Sequence, residues 1–132
     1  MITIKRYINV FLFGIIGGGA RYLIELLVIS PNGFPYSTLG INLVGCFLFS
    51  ILIDYIPARF SLSNATATGM SAGLIGSFTT FSTFNLDAVK LVVHHQITFF
   101  IIYLFCTIFG SLLMNWTGQR FSQKLRRQME VW

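Results

Sequence analysis

Gly73-Leu74-Ile75-Gly76-Ser77-Phe78-Thr79-Thr80-Phe81-Ser82-Thr83-Phe84 sets glycines, hydroxyls and phenyl rings side by side within an apolar segment. A helix that only crosses a bilayer needs none of them. Glycine weakens the helix and bares its backbone, hydroxyls bring small hydrogen-bond donors, and Phe81 and Phe84 fall three residues apart on one helical face. Gly76 and the hydroxyl residues after it predict a local break. At membrane depth a break persists only where the freed carbonyls find a partner, and a hard cation such as Na⁺, held by oxygen atoms, is one such partner. The alternative is a continuous helix in which Gly76 is a packing notch.

Working outward, the chain is 55% hydrophobic and only 10% charged, with a mean hydropathy of +0.74. A soluble domain carries about 25% charged residues, so this composition belongs in a bilayer. A membrane helix needs about 20 apolar residues, and four windows meet that length, over about 4–29, 36–55, 65–93 and 97–118. They fill residues 1–132 as a single all-α integral-membrane domain of four transmembrane helices, the third broken. The first window has no small-residue cleavage site and reads as a mature helix rather than a signal peptide. Cys46 and Cys106 lie within apolar windows, without CxxC or Cys/His clustering, which argues against a disulfide scaffold or a zinc site.

Turn-rich Ser30-Pro31-Asn32-Gly33-Phe34-Pro35 and Ile56-Pro57 bound the second window, and His94-His95-Gln96 joins the third to the fourth. Four crossings put both termini on one side. That side holds Lys5, Arg6, Arg59, Arg120, Lys124, Arg126 and Arg127, leaving Lys90 and Arg21 for the other, so the positive-inside rule places the termini in the cytoplasm. The net charge of +5 therefore reflects topology rather than nucleic-acid binding.

Several polar side chains sit inside the apolar windows, and each carries two readings. Arg21 either attracts anions near a pore mouth or snorkels to the membrane edge. The Asn42 amide either hydrogen-bonds a neighbouring helix or donates to an anion or water. Phe81 and Phe84 are either core residues or rings whose electropositive edges meet a partly dehydrated anion. Tyr103, Thr107 and Ser111 recur every four residues as a polar stripe that lines a wet path or glues helices together. Asp87 and Glu25 either flank vestibules or cap helix ends. No nucleophile-base set, phosphate loop or metal-hydrolase pattern is present in the sequence, so no catalytic residue is assigned and the chain does not read as an enzyme.

Taken together these residues resemble the Fluc/CrcB family of small fluoride channels across essentially the whole chain. The resemblance rests on Gly73-x-x-Gly76-x-x-Thr79-Thr80-Phe81-Ser82-Thr83-Phe84, on Gly17-x-x-Ala20-Arg21-Tyr22 and on Thr38-Leu39-x-x-Asn42-x-x-Gly45. It implies an antiparallel, dual-topology dimer with two fluoride pathways and a central structural Na⁺. By that likeness Asn42, Phe81, Ser82, Thr83 and Phe84 line the pathway, with Tyr103, Thr107 and Ser111 as a fourth-helix track. Gly76 and Thr79 would hold Na⁺ through backbone carbonyls, and Arg21 and Asp87 would be vestibule or structural residues.

Three positions depart from the family pattern: Ser77 where many relatives carry glycine, Ser37 where glycine is frequent, and Asp87 where glutamate is common. The implied function is passive export of F⁻ across the bacterial cell membrane, relieving fluoride toxicity. The second subunit would be another copy of the chain or an inverted paralogue, the strong charge bias favouring a fixed orientation. Two other readings compete. A small multidrug-type exporter would need a carboxylate deep in its cavity, and a non-transporting membrane assembly protein would use the polar residues only as helix glue.

Overall fold

The structure, a computed structural model, describes residues 2–129, and every described element is helical. Helix α1 spans Ile2–Leu27. Helix α2 runs Tyr36–Phe60, passing through a widened π turn at Ile51–Tyr55 in which the Ile56 amide bonds back to the Ile51 carbonyl. Helix α3 begins as Asn64–Thr68, widens over Gly69–Ile75 and ends on Gly76–Phe78. Helices α4, Phe81–Val93, and α5, Ile97–Met129, complete the chain.

Two boundaries differ from the windows read in the sequence. Helix α2 does not stop ahead of Pro57. The π turn shifts the bonding register just before the proline, whose ring nitrogen has no proton to donate, and Ser61 closes the helix in the left-handed region with its amide on the Pro57 carbonyl. Helix α5 continues well past Gly118 to Met129. The apolar window ends there, but Gln119 to Met129 contains neither proline nor glycine and is rich in good helix formers, so the helix outlasts the bilayer. Residues 1 and 130–132 of the expected domain lie outside the described residues.

Close backbone approaches fix how the helices sit. A Cβ at Gly17 would overlap the Leu74 carbonyl, and one at Gly73 would come within 2.5 Å of the Val10 carbonyl oxygen. The glycines therefore let α1 and α3 touch backbone to backbone, the small-residue packing expected where lipid supplies no hydrophobic drive. Asn9 meets Thr66 and Gly69 lower on the same pair, and Gly18 meets Ser77 higher up, so α1 and α3 run parallel. Helices α2 and α5 are also parallel, with Gly110 against Leu43 and Gly118 against the Phe47 carbonyl. The chain termini, the end of α2 and the start of α3 consequently share one end of the bundle. At the other end Phe34 packs on Phe99 and Tyr103 in a small aromatic core with Ala88 and Leu91.

Three helices, α1, α2 and α5, are long and apolar enough to cross a membrane, and all expose large hydrophobic residues on their outer faces. Neither α3 nor α4 reaches the needed length of about 20 residues alone. A Gly73→Ala substitution should cost about 1–3 kcal/mol through overpacking. Gly19→Ala, whose new methyl would meet nothing within 4 Å, should be neutral or stabilising. Thermal unfolding in detergent, read by the loss of monodisperse protein, distinguishes the two.

Candidate ion pathway

The helix breaks at Thr79-Thr80, within the quoted stretch but after Gly76, which keeps helical angles of φ −63° and ψ −28°. Thr79 and Thr80 are extended, with ψ of 156° and 121°. Glycine allowed the break without making it. Two competing hydrogen-bond sets make it. The Asn42 side chain, reaching from α2, donates Nδ2–H to the Thr80 carbonyl at 3.1 Å and accepts the Thr80 amide on Oδ1 at 2.9 Å. Thr80 is also the N-cap of α4: its Oγ1 accepts the Thr83 amide at 3.1 Å and donates to Thr83 Oγ1 at 2.9 Å, with Ser82 Oγ 3.3 Å away.

These bonds have a consequence for the carbonyls. In an unbroken helix the Thr80 amide would serve Gly76 and the Thr83 amide would serve Thr79. Asn42 and the Thr80 hydroxyl take both amides, so the carbonyls of Gly76 and Thr79 lose their helical donors. Both residues line the groove described next. Two freed, neutral oxygens beside open space are the ligand type a hard cation such as Na⁺ takes, but they are only part of the set one needs.

A groove of about 700 Å³ opens between α2, the broken segment and α5. Its wall brings together Asn42, Phe81, Phe84, Thr107 and Ser111 of the residues expected from the sequence. Phe81 is 76% exposed, so it is no core residue, and its ring stacks on Phe84 at 5.8 Å with 27° between planes. Phe84 is half-buried and leans on Tyr103 at 5.2 Å. Thr107 Oγ1 is buried with no partner among the described residues, an orphan hydroxyl that a water or ion in the groove would satisfy. Among the described residues no aspartate, glutamate, lysine, arginine or histidine stands on this wall.

The other expected site residues lie elsewhere. Ser82 and Thr83 belong to the cap of α4, and Tyr103 is fully buried beside Phe34, its hydroxyl unpartnered among the described residues. Asp87 accepts a 2.7 Å bond from Thr38 and pairs with Lys90 at 3.6 Å, tying α4 to α2. Arg21 lies along α1, 4.0 Å from Glu25, away from the groove. Asn115 is the residue missed from the sequence. It continues the repeat Tyr103, Thr107, Ser111 by four, lines the groove and accepts the Ser50 hydroxyl at 3.0 Å; counting one more step along the stripe would have found it.

The fold and groove define an all-helical integral membrane protein with a mainly apolar groove into which a few uncharged polar side chains are set. Residues 8–119 match the family described as CrcB-like protein, Camphor Resistance (CrcB), and the chain belongs to that family. It is 39% identical over 127 residues to the "Fluoride-specific ion channel FluC 1" of Latilactobacillus sakei, covering 96% of this chain and 94% of that protein. The FluC 1 of Bacillus cereus is 42% identical over 114 residues, covering 85% and 83%. The "Fluoride-specific ion channel FluC 2" of Listeria innocua is 35% identical over 122 residues, covering 92% and 94%.

Asn42→Ala leaves both backbone groups of Thr80 unpaired and should cost about 2 kcal/mol of stability. Hydrogen exchange should quicken at the Thr80 amide, whereas Phe81→Ile should leave that amide protected.

Proposed function

We propose that this chain forms a fluoride-selective channel, through which F⁻ leaves the bacterial cytoplasm passively. The observation that carries the proposal is the groove wall: it is mostly apolar, with the Asn42 amide, the Thr107 and Ser111 hydroxyls and the Phe81 and Phe84 rings set into it, and no charged group among its described residues. Fluoride is a small anion that must exchange its hydration shell for hydrogen-bond donors. Neutral donors replace that shell without holding the ion as an arginine would, and conduction needs binding weak enough for release. The absence of a carboxylate among the described residues of the wall disfavours a proton-coupled exporter. Names of the related proteins point the same way, and an ion channel of this kind is no enzyme.

Along the path, Thr107, Ser111 and the remaining Nδ2–H of Asn42 donate to the ion, while Phe81 and Phe84 offer ring edges. Tyr103, buried behind the Phe84 ring, and Ser82 and Thr83, in the cap of α4, support this set from behind on the side of Asp87 and Arg21. An inside-negative membrane potential drives the anion outward, at about 2.3 kcal/mol per charge per 100 mV. Closed over by the second subunit, the groove becomes a path narrow enough to exclude larger anions such as chloride.

A channel of this kind needs a second subunit. One chain supplies two freed carbonyls, from Gly76 and Thr79, fewer oxygens than a hard cation takes. An inverted second subunit, packed on the exposed side of Phe81 and on bare Gly76, brings its own pair to a central structural Na⁺. The four-crossing topology puts this chain's termini in the cytoplasm, and its seven-to-two basic bias favours an inverted paralogue as partner over a second copy.

Liposomes holding only this chain test function and self-sufficiency together. F⁻ efflux should far exceed Cl⁻ efflux, and comparable rates would sink the selectivity claim. If the paralogue is required, flux appears only when both chains are reconstituted. Phe81→Ile with Phe84→Ile should cut F⁻ flux at least tenfold, a barrier increase of about 1.4 kcal/mol, while leaving folding intact. Unchanged flux in the folded double variant would reduce both rings to packing.

A further inference from the structure

The end of the bundle that gathers the termini carries seven basic residues, Lys5, Arg6, Arg59, Arg120, Lys124, Arg126 and Arg127, all exposed. Among the described residues none of them forms an ion pair and Asp54 is the one carboxylate at this end, Glu130 lying outside those residues. Helix α5 explains why they cluster beyond the apolar slab. Its 33 residues extend about 50 Å, against a hydrocarbon core of about 30 Å. The apolar part, from Ile97 to Trp116, fills the slab, and the rest stands out of it.

Two of these cations are arranged differently from the others. The Arg120 guanidinium lies 4.8 Å over the Trp116 ring one turn back, and that of Arg59 lies 5.6 Å from the centre of the Phe60 ring. Trp116, Phe60 and nearby Phe121 are 52%, 61% and 47% exposed. Exposed aromatic rings next to exposed cations are the composition of a membrane interface, where the ring sits at headgroup level and the cation just above it. A guanidinium lying on a ring keeps its N–H edge free, in the planar fork that matches a phosphate. A soluble acidic partner would answer the charge but leave the three rings facing water.

We propose that this end is a docking surface for anionic phospholipid headgroups, with Arg59 and Arg120 holding the phosphates from their aromatic seats. Lys124, Arg126 and Arg127, further out on α5, and Lys5 and Arg6, on α1, add to the field that draws such lipids in. The surface is distinct from the groove and acts whether or not the groove conducts.

Trp116 is itself the probe. A Trp132→Phe background leaves it as the sole tryptophan, since the chain has two. The protein is reconstituted in phosphatidylcholine, and the fluorescence of Trp116 is quenched with brominated phosphatidylglycerol or, in parallel, brominated phosphatidylcholine. Phosphatidylglycerol should be preferred by about fivefold for each cation engaged, and the preference should shrink in high salt. Arg59→Gln with Arg120→Gln should lower the ratio by about tenfold or more, leaving the share of the five outer cations, while Arg59→Lys with Arg120→Lys should lower it less. Because both lipids are compared in each variant, any change in Trp116's own emission cancels. Equal quenching by the two lipids in the unaltered basic surface, or a preference insensitive to salt, overturns the proposal. So does an unchanged ratio in a monodisperse double glutamine variant.

Discussion

The paired hydrogen bonds between the Asn42 side chain and the backbone of Thr80 are the constraint on which the rest of the structure depends. A broken helix at membrane depth leaves amides and carbonyls that lipid cannot satisfy. Asn42 meets one of each with a single planar group, and Thr80 turns its own hydroxyl to cap the next helix. The chain can then leave α3 and begin α4 two residues later. Without that clamp, α3 and α4 would gain by merging into one rod, and the groove beside them would lose the turn that forms its wall.

From the clamp follow the two chemical properties of the site. Amides drawn to Asn42 and to the Thr80 hydroxyl leave the carbonyls of Gly76 and Thr79 free, a concentration of negative dipole. The new helix begins at Phe81, so Phe81 and Phe84 fall in its first turn and face the groove, together with the Thr107 and Ser111 hydroxyls from α5. Acceptors and donors thus lie within one uncharged space. Support comes from behind: Gly17 and Gly73 bring α1 against α3, and Gly45 leaves just enough room beneath the Thr79 methyl for α2 to deliver Asn42.

Much of this was legible in the chain because bilayers impose strong rules on composition. Apolar length, turn residues and the distribution of lysine and arginine mark the helices and their common end. The four-residue recurrence of Tyr103, Thr107 and Ser111 marks a polar face. Less legible was where that face leads. Thr107 and Ser111 reach the groove and Tyr103 is buried in the aromatic core, because a continuous helix turns its upper part toward Phe34 and its lower part toward α2. Pro57 misled for a similar reason, since a π turn upstream let α2 absorb it. The reach of α5 past Gly118 was hidden because hydropathy reports where lipid ends rather than where a helix does.

By itself the sequence determined that the chain is an all-helical membrane protein, that its third apolar segment is breakable, and which side chains bring donors into an apolar setting. Those properties are local: they follow from residue type and spacing along one helix. Only the tertiary structure decided that the break falls at Thr79-Thr80 rather than at Gly76, and that Asn42 secures it. The same holds for Asp87, which ties to Thr38, and for Arg21, which lies along α1 away from the groove. The break and the Asp87 tie turn on which backbone or side-chain group from another helix stands within about 3 Å, and the place of Arg21 on how α1 packs beside its neighbours, none of which a periodicity along the chain encodes.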